Sequence, residues 1–232
     1  RQDAIFGLHA WPGKVGTVEY RSGPTMAAAE RMRITVTGSQ THGAVPWKGV
    51  DPIAISSQII TALQTIVARE VNITQVPAVV TIGSIHGGVR NNIIPEEVVM
   101  EGTIRTFNDE VRKDIHDSIR KKAEMIASAS GATAKVEIFS DIAKVTFNEP
   151  SLTDKMVPSL ERVYGKENVK ITPFITGAED FPFFTDHAPG LYFFNGVAPD
   201  PSKAAPNHSP YFFADERNLK YGTKALTQLA VD

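Results

Sequence analysis

Two histidines lie where a metal site could form. His9 follows the apolar run Ala4–Leu8, and His208 stands in a Pro206–Pro210 segment shortly after the second apolar run, Leu191–Phe194. A histidine at the end of a buried strand points a neutral imidazole into the cleft where α/β proteins collect ligands. Metal sites usually need three or four protein ligands, so the two histidines alone predict an incomplete site.

A third histidine, His42, stands in a loop of small residues, Gly43, Ala44 and Val45, before Pro46-Trp47. Small neighbours let a ligand or another subunit approach the imidazole closely. The alternative is a loop histidine with no chemical role near the start of a helix, and the residue pattern leaves both interpretations open.

Four more polar side chains, those of Asn92, Arg105, Glu179 and Asp180, are candidates for binding a substrate or a metal. The Asn92 amide follows Gly87-Gly88 and could bind a carbonyl or carboxylate, although turn chemistry alone explains an asparagine there. Arg105 suits a carboxylate but could equally form a surface salt bridge. Glu179 and Asp180 could bind metal, hold a histidine or cap a helix. His116 lies on a charged helix face and is expected to be solvated.

Composition indicates a soluble globular protein. The 232 residues are 42% hydrophobic with a mean hydropathy of −0.13, a net charge of −2 and a pI near 6.3. There is no global basic field to attract nucleic acid and no apolar run of membrane-spanning length. The absence of cysteine excludes disulfides and thiolate ligands. Without a signal-peptide pattern, the expected location is cytoplasmic, and the start at Arg1 is expected to be an entry in mid-domain.

The middle of the chain, residues 29–144, predicts a separate domain. Residues 31–37 alternate polar and apolar side chains as a half-buried strand does, and Asp51-Pro52 then opens a long helix. Two strands follow, then a helix capped by Asp109 and a last strand. This β-α-β-β-α-β order predicts a ferredoxin-like domain whose helices cover one face of an antiparallel sheet.

The flanks, residues 1–28 and 145–232, predict a different architecture. Strand-like runs at 168–175 and 190–196 alternate with helix-like runs at 151–164 and 215–230, which is typical of an α/β domain with a mixed or parallel sheet. The predicted fold is therefore α/β, with one α/β domain interrupted by the ferredoxin-like insertion.

Taken together, these segments resemble the metal-dependent amidohydrolase and aminoacylase metallopeptidases, which include hippurate hydrolase, auxin-conjugate hydrolases and relatives of carboxypeptidase G. The number and order of the matches make the resemblance specific, although each is weak alone. The chain resembles the C-terminal portion of that family, with the insertion as its lid or dimerisation domain. The matching motifs are Phe6-Gly7-Leu8-His9, His42-Gly43-Ala44-Val45-Pro46, Asn92-Ile93-Ile94-Pro95, Gly102-Thr103-Ile104-Arg105-Thr106, Glu179-Asp180-Phe181 and His208-Ser209-Pro210.

The resemblance implies a role for each candidate. His9 would bind one ion and His208 the other ion of a two-metal site holding zinc, manganese, cobalt or nickel, where a metal-bound water attacks the amide. His42 would reach the active site of the partner subunit in a homodimer and stabilise the oxyanion. Asn92 and Arg105 would hold the substrate, and Glu179 would lie near the metal cleft, as a further substrate-binding candidate.

The chain also departs from the family pattern. The family's upstream segment, with its Glu-Glu pair, general base and further ligands, is not in this sequence, and Trp47 stands where a second histidine is usual. The resemblance therefore implies an intact protein that hydrolyses N-acyl amino acids or related small peptide-like amides. The 232-residue chain alone is expected to be an inactive fragment that binds metal weakly. Two alternatives remain open: a non-catalytic ferredoxin-like binding or dimerisation module, and a strict dipeptidase or deacylase.

Overall fold

The structure is a computed structural model that describes residues 2–232, apart from the side chains of residues 141 and 142. The chain divides into two compact units: unit 1 holds the residues up to Ala27 together with Lys144–Asp232, and unit 2 is Ala28–Ala143. In chain order the strands are β1 (Ile5–Lys14), β2 (Val18–Tyr20), β3 (Gly23–Met26), β4 (Ala28–Thr37), β5 (Thr41–His42), β6 (Ala78–Gly87), β7 (Ile93–Ile94), β8 (Glu97–Thr106), β9 (Thr133–Ala143), β10 (Thr146–Asn148), β11 (Val169–Ile171) and β12 (Gly190–Ala198). The α-helices are α1 (Pro52–Thr65), α2 (Asp109–Ala129), α3 (Pro150–Tyr164) and α4 (Arg217–Val231).

Unit 1 is built on a mixed sheet with the strand order β1-β12-β2-β11. Its second strand, β12, is buried along its whole length, as the near-continuous apolar run Leu191–Phe194 predicts. Leu191 and Phe193 belong to a core with residues of α3 and α4, whereas Tyr192 and Phe194 pack with Phe181 in a second cluster. The sheet therefore has a helix-covered face and an aromatic face.

The first strand is longer than the sequence indicates. Beyond the apolar run Ala4–Leu8 it continues through Pro12 to Lys14, pairing with β12 in parallel and with no other described strand. Proline is tolerated in an edge strand because its missing N–H is not needed for pairing there. His9 therefore lies inside a strand opposite Phe194, and the prediction that it ends one is wrong.

Unit 2 is an antiparallel sheet with the strand order β6-β8-β4-β9, and its α1 and α2 pack on one face. The order of its long elements along the chain is β-α-β-β-α-β. Met32, Ile34 and Val36 on β4 alternate with exposed or half-buried residues and form the core together with Met100 and Ile104 of β8. This period of two fixes which face of each strand meets the helices.

The two helices of unit 2 begin at side-chain caps. Asp51 accepts hydrogen bonds from the N–H groups of Ile53 and Ala54 ahead of Pro52, as predicted. At α2 the cap is Asn108, and Asp109 is the first helical residue, so the predicted cap is one position late. Asparagine and aspartate are comparable caps, so two adjacent residues of these types can each be predicted as the N-cap.

In the described part of the chain, no helix is both long and apolar enough to span a membrane.

Candidate functional site

His9 faces a carboxylate on the aromatic face of unit 1. Its Nε2 lies 3.2 Å from Glu179 Oε1, and its Nδ1 lies 2.7 Å from the Ala10 carbonyl oxygen. Both side chains are largely buried, at 25% and 21% exposure. A ring whose Nδ1–H is held by a backbone carbonyl presents Nε2 as the working nitrogen, the usual arrangement of a metal-binding histidine.

Aromatic packing positions this pair. A Cβ atom on Gly7 would lie 2.8 Å from atoms of both Phe181 and Tyr192, so these rings come close only because residue 7 has no side chain. Burial, followed by the charge of Glu179, raises the pKa of Tyr192. Tyr192 is therefore a neutral phenol close to the Glu179 carboxylate, to which its O–H could donate.

Glu179 thus contacts a candidate metal ligand, which favours a role in holding His9 or a metal over binding substrate. The simple helix-cap alternative has no support from Asp180, because its side chain makes no cap hydrogen bond to the short helix Phe181–Phe183. Sequence inspection did not single out Tyr192, since an aromatic residue inside the apolar run of β12 carries no polar signal.

His208 occupies an exposed turn with unusual backbone geometry. Its φ of 66° is in the left-handed region, and no other described non-glycine residue has a positive φ. Such geometry costs about 1 kcal/mol or more and is common at functional sites. The neighbouring Asn207 donates a hydrogen bond to the Ala10 carbonyl at 3.0 Å, the same oxygen that His9 Nδ1 approaches. The His208 turn is therefore tethered beside His9.

The donor chemistry of these residues fits a divalent metal. Imidazole nitrogen and carboxylate oxygen are ligands for the first-row transition metals, and a cation between His9 Nε2 and Glu179 would satisfy both. Within residues 2–232, however, no three His, Asp or Glu side chains gather closely enough to hold an ion. His208 is therefore not drawn into one cluster with His9 and Glu179, and the described residues supply a partial donor set.

In unit 2, His42 and Asn92 are brought together by the β5–β7 ribbon. His42 pairs with Ile93, and the Gly43 N–H donates to the Asn92 carbonyl at 2.8 Å. The Ala44 N–H donates to His42 Nδ1 at 3.0 Å, so Nδ1 is unprotonated and Nε2 of the neutral ring carries the proton. This exposed Nε2–H and the exposed Asn92 amide are two donors suited to a carbonyl oxygen.

Arg105 lies half-buried on β8, and burial lowers the pKa of its guanidinium. It donates to Thr103 Oγ1 and to the Ile104 carbonyl, and no carboxylate in the described chain pairs with it. The predicted alternative, a surface salt bridge, is therefore not present there. A partly desolvated guanidinium without an anion is suited to bind one.

The structure separates Arg105 from the other two candidates. Asn92 precedes the Glu97 end of β8, where Gly87 pairs with Val98, whereas Arg105 lies at the other end beside Ala29. At about 3.3 Å per residue, the strand from Val98 to Arg105 spans roughly 23 Å. A small substrate cannot touch both ends of the same unit.

His116 is not solvated, contrary to expectation. Its Nε2 lies 2.7 Å from Glu30 Oε2, and the Glu30 side chain is only 1% exposed. Burial favours the neutral acid, but hydrogen bonds from His116 and Ser140 and the charges of His116 and Arg112 prevail, so the pKa of Glu30 is lowered. The sequence does not indicate that Glu30 is buried, because a polar residue at this position of β4 is also expected in an alternating, half-exposed strand.

Comparison with known proteins identifies both parts of the chain. Residues 29–130 match the peptidase dimerisation domain family. Thermostable carboxypeptidase 2 of Saccharolobus solfataricus is 38% identical over 99% of this chain and 58% of its own length. N-acetyl-L-cysteine deacetylase of Bacillus subtilis is 38% identical over 92% of this chain and 50% of its own length. The chain thus spans between half and three fifths of these curated relatives.

Solved structures agree with this assignment. A protein from methicillin resistant Staphylococcus aureus superposes with a TM-score of 0.91 at 27% identity, over 99% of this chain and 59% of its own. A Bacillus subtilis protein described as a dinuclear metal binding peptidase from the M20 family superposes with a TM-score of 0.77 at 29% identity, over 99% and 56%. The chain therefore belongs to the M20 family of peptidases, deacetylases and amidohydrolases, and it carries that family's dimerisation domain.

Proposed function

We propose that the protein containing this chain is a metal-dependent amidohydrolase that cleaves the amide bond of N-acyl amino acids or related small amides. The observation that carries this proposal is the pair of His9 and Glu179, in which the Ala10 carbonyl orients the His9 ring and the Tyr192 phenol lies close to Glu179. The proposal is also supported by similar proteins, which are named a carboxypeptidase, a deacetylase and a dinuclear metal binding peptidase.

On this proposal, His9 and Glu179 would hold one divalent ion, and His208 would contribute to a second. When bound, two such ions lower the pKa of water and polarise an amide carbonyl. The chain itself keeps the His9 ring in one orientation through Ala10, with Glu179 within 3.2 Å of its Nε2. The turn of His208 stays beside this pair through Asn207.

The ferredoxin-like unit 2 would act as the lid and supply the groups that touch substrate. The His42 Nε2–H would donate to the oxyanion that develops as the amide carbon becomes tetrahedral, with the Asn92 amide as a second donor. Arg105 would bind the substrate carboxylate. Because His42 and Arg105 lie at opposite ends of unit 2, we propose that His42 and Asn92 come from the partner of a homodimer.

The 232-residue chain by itself is proposed to have little activity, since its described residues bring together only a partial donor set. The direct measurement is metal content together with hydrolysis of an N-acyl amino acid, on the purified chain. Substoichiometric metal and slow turnover are expected. Stoichiometric metal with robust turnover would show that the chain completes the site itself.

The experiment for the proposed function uses the protein that contains this chain. Hydrolysis of N-acetyl amino acids, N-benzoyl amino acids and dipeptides is measured before and after a chelator, and again after zinc, manganese, cobalt or nickel is returned. Loss with the chelator and recovery with at least one metal is expected. Activity that survives complete metal removal would refute metal dependence, and no cleavage of any amide would favour the non-catalytic alternative.

A further inference from the structure

Unit 2 exposes two large apolar side chains that are close in sequence to His42 and Asn92. Trp47 is 76% exposed and Val89 is 91% exposed. They stand on the two segments that the β5–β7 ribbon joins, residues 41–49 and 87–94, which we call the tip. The tip therefore combines two hydrogen-bond donors with an apolar surface.

Trp47 is held in place by a tight turn. The Val45 N–H donates to the His42 carbonyl at 2.9 Å, and the Lys48 N–H donates to the Val45 carbonyl at 3.1 Å. The short helix Pro46–Lys48 contains no buried residue, so the indole contributes nothing to the core of unit 2. An exposed tryptophan on an ordered turn indicates a binding surface.

The size and charge of the tip fit a small ligand better than a protein. A stable protein interface buries about 800 Å² on each partner, far more than two side chains provide. Trp47 and Val89 are each followed directly by a cation, Lys48 and Arg90, and no carboxylate in the described chain pairs with either of them. A ligand with one flat apolar group and a polar carbonyl matches this arrangement.

We propose that Trp47 is a specificity-determining residue that selects substrates with a large, flat apolar acyl group. The indole face would stack on the acyl group while the His42 Nε2–H and the Asn92 amide bind the carbonyl next to it. This inference rests on the proposed amidohydrolase function and adds to it the class of acyl group. It places N-benzoyl amino acids above N-acetyl amino acids as substrates.

The test measures kcat/KM for N-benzoylglycine and N-acetylglycine in the protein that contains this chain. The unsubstituted protein is expected to prefer the benzoyl compound by roughly tenfold or more, since each factor of ten needs about 1.4 kcal/mol of stacking. Trp47→Ala should lower that ratio by roughly tenfold through the KM of the benzoyl substrate, with N-acetylglycine changed less than about twofold. Ile73→Ala, which removes an apolar residue of unit 2 that is 62% exposed outside the tip, should leave the ratio unchanged.

The possible outcomes test the role of Trp47 separately from the proposed amidohydrolase function. Hydrolysis of both substrates with the same ratio in Trp47→Ala would overturn the acyl-group role and leave the amidohydrolase standing. An equal loss on both substrates would mean that Trp47 only maintains the tip, which also overturns the inference. If Trp47→Ala shifts the oligomeric state in light scattering while the ratio holds, the indole serves subunit contact instead. No hydrolysis of either amide would refute the proposed function itself.

Discussion

At the scale of single residues, Arg105 is the clearest candidate for binding an anionic group of a substrate. Its guanidinium is half-buried, donates only to Thr103 and Ile104, and has no described carboxylate beside it. Arg105→Lys keeps the charge but loses the planar fork, so KM for an N-acyl amino acid should rise by about tenfold or more with kcat little changed. A substrate amidated at its carboxylate serves as the control and should respond less than about twofold; equal effects on both substrates would contradict carboxylate binding.

His208 combines a proposed ligand role with backbone strain, which allows a second test. His208→Gly relieves the positive φ of 66°, so thermal unfolding should show no loss of stability, or a gain of up to about 1 kcal/mol. On the proposed function the same change removes an imidazole ligand, so activity and metal content should both fall. A stable variant with full activity would remove His208 from the metal site, and a destabilised variant would contradict the strain argument.

Whether a site residue can be predicted from the sequence depends on how far apart in the chain the contacting residues lie. His9 and His208 were identifiable because histidine after an apolar run is chemically distinctive. The contact of Glu179 with His9, and the position of Tyr192 close to Glu179, depend on folding together segments far apart in the chain. No local pattern predicts such contacts, so the sequence leaves the role of Glu179 open and does not single out Tyr192.

At the scale of elements, β4 and α2 are joined through the buried carboxylate of Glu30. Glu30→Ala leaves His116 and Arg112 facing each other without their anion, so the free energy of opening at β4 and α2 should fall by about 3–5 kcal/mol. Hydrogen exchange of the amides in those two elements measures it. Glu101→Ala is the control, because its ion pair with Arg33 on the same sheet is exposed and screened by solvent, so its loss should change the opening free energy far less.

The pH dependence of the same contact has a defined sign. The pKa of Glu30 is lowered in the folded protein from its ordinary value of 4.5, so folding favours the ionised form. The stabilisation is fully present above about pH 4.5 and is lost as the pH falls through the folded value. The difference between the unsubstituted protein and Glu30→Ala should therefore shrink in acid; a difference that grows below pH 4.5 would contradict an ionised Glu30.

Helices and strands can be predicted from the sequence where interactions between neighbouring residues determine where they begin and end. Asp51-Pro52 starts α1 as expected, because an N-cap and an N1 proline act within one turn. The run at 168–175 is interrupted after the short β11 (Val169–Ile171), since Pro173 cannot donate to a ladder, and it pairs again only at the isolated bridge of Ile175 with Met26. The extra length of β1 was not foreseeable, because its tolerance of Pro12 depends on its place at the edge of the sheet.

At the scale of the whole molecule, we propose that one amide is bound and cleaved by groups from two subunits. His9 belongs to unit 1, whereas His42 lies on unit 2 at the end opposite Arg105. A dimer that exchanges these groups would give each active site residues from both partners. The sequence predicts the lid and its histidine. The distance between Arg105 and the tip becomes apparent only from the positions of the pairing residues along β8.

The most direct measurement mixes two inactive variants of the protein that contains this chain. His9→Ala and His42→Ala are refolded together, and hydrolysis of an N-acyl amino acid is compared with each variant alone. If His42 acts in the partner's site, half of the dimers are mixed and each holds one intact site, so about a quarter of the unsubstituted activity should return. If the mixture stays as inactive as its parts, His42 and His9 serve the same subunit, which contradicts an active site shared between partners.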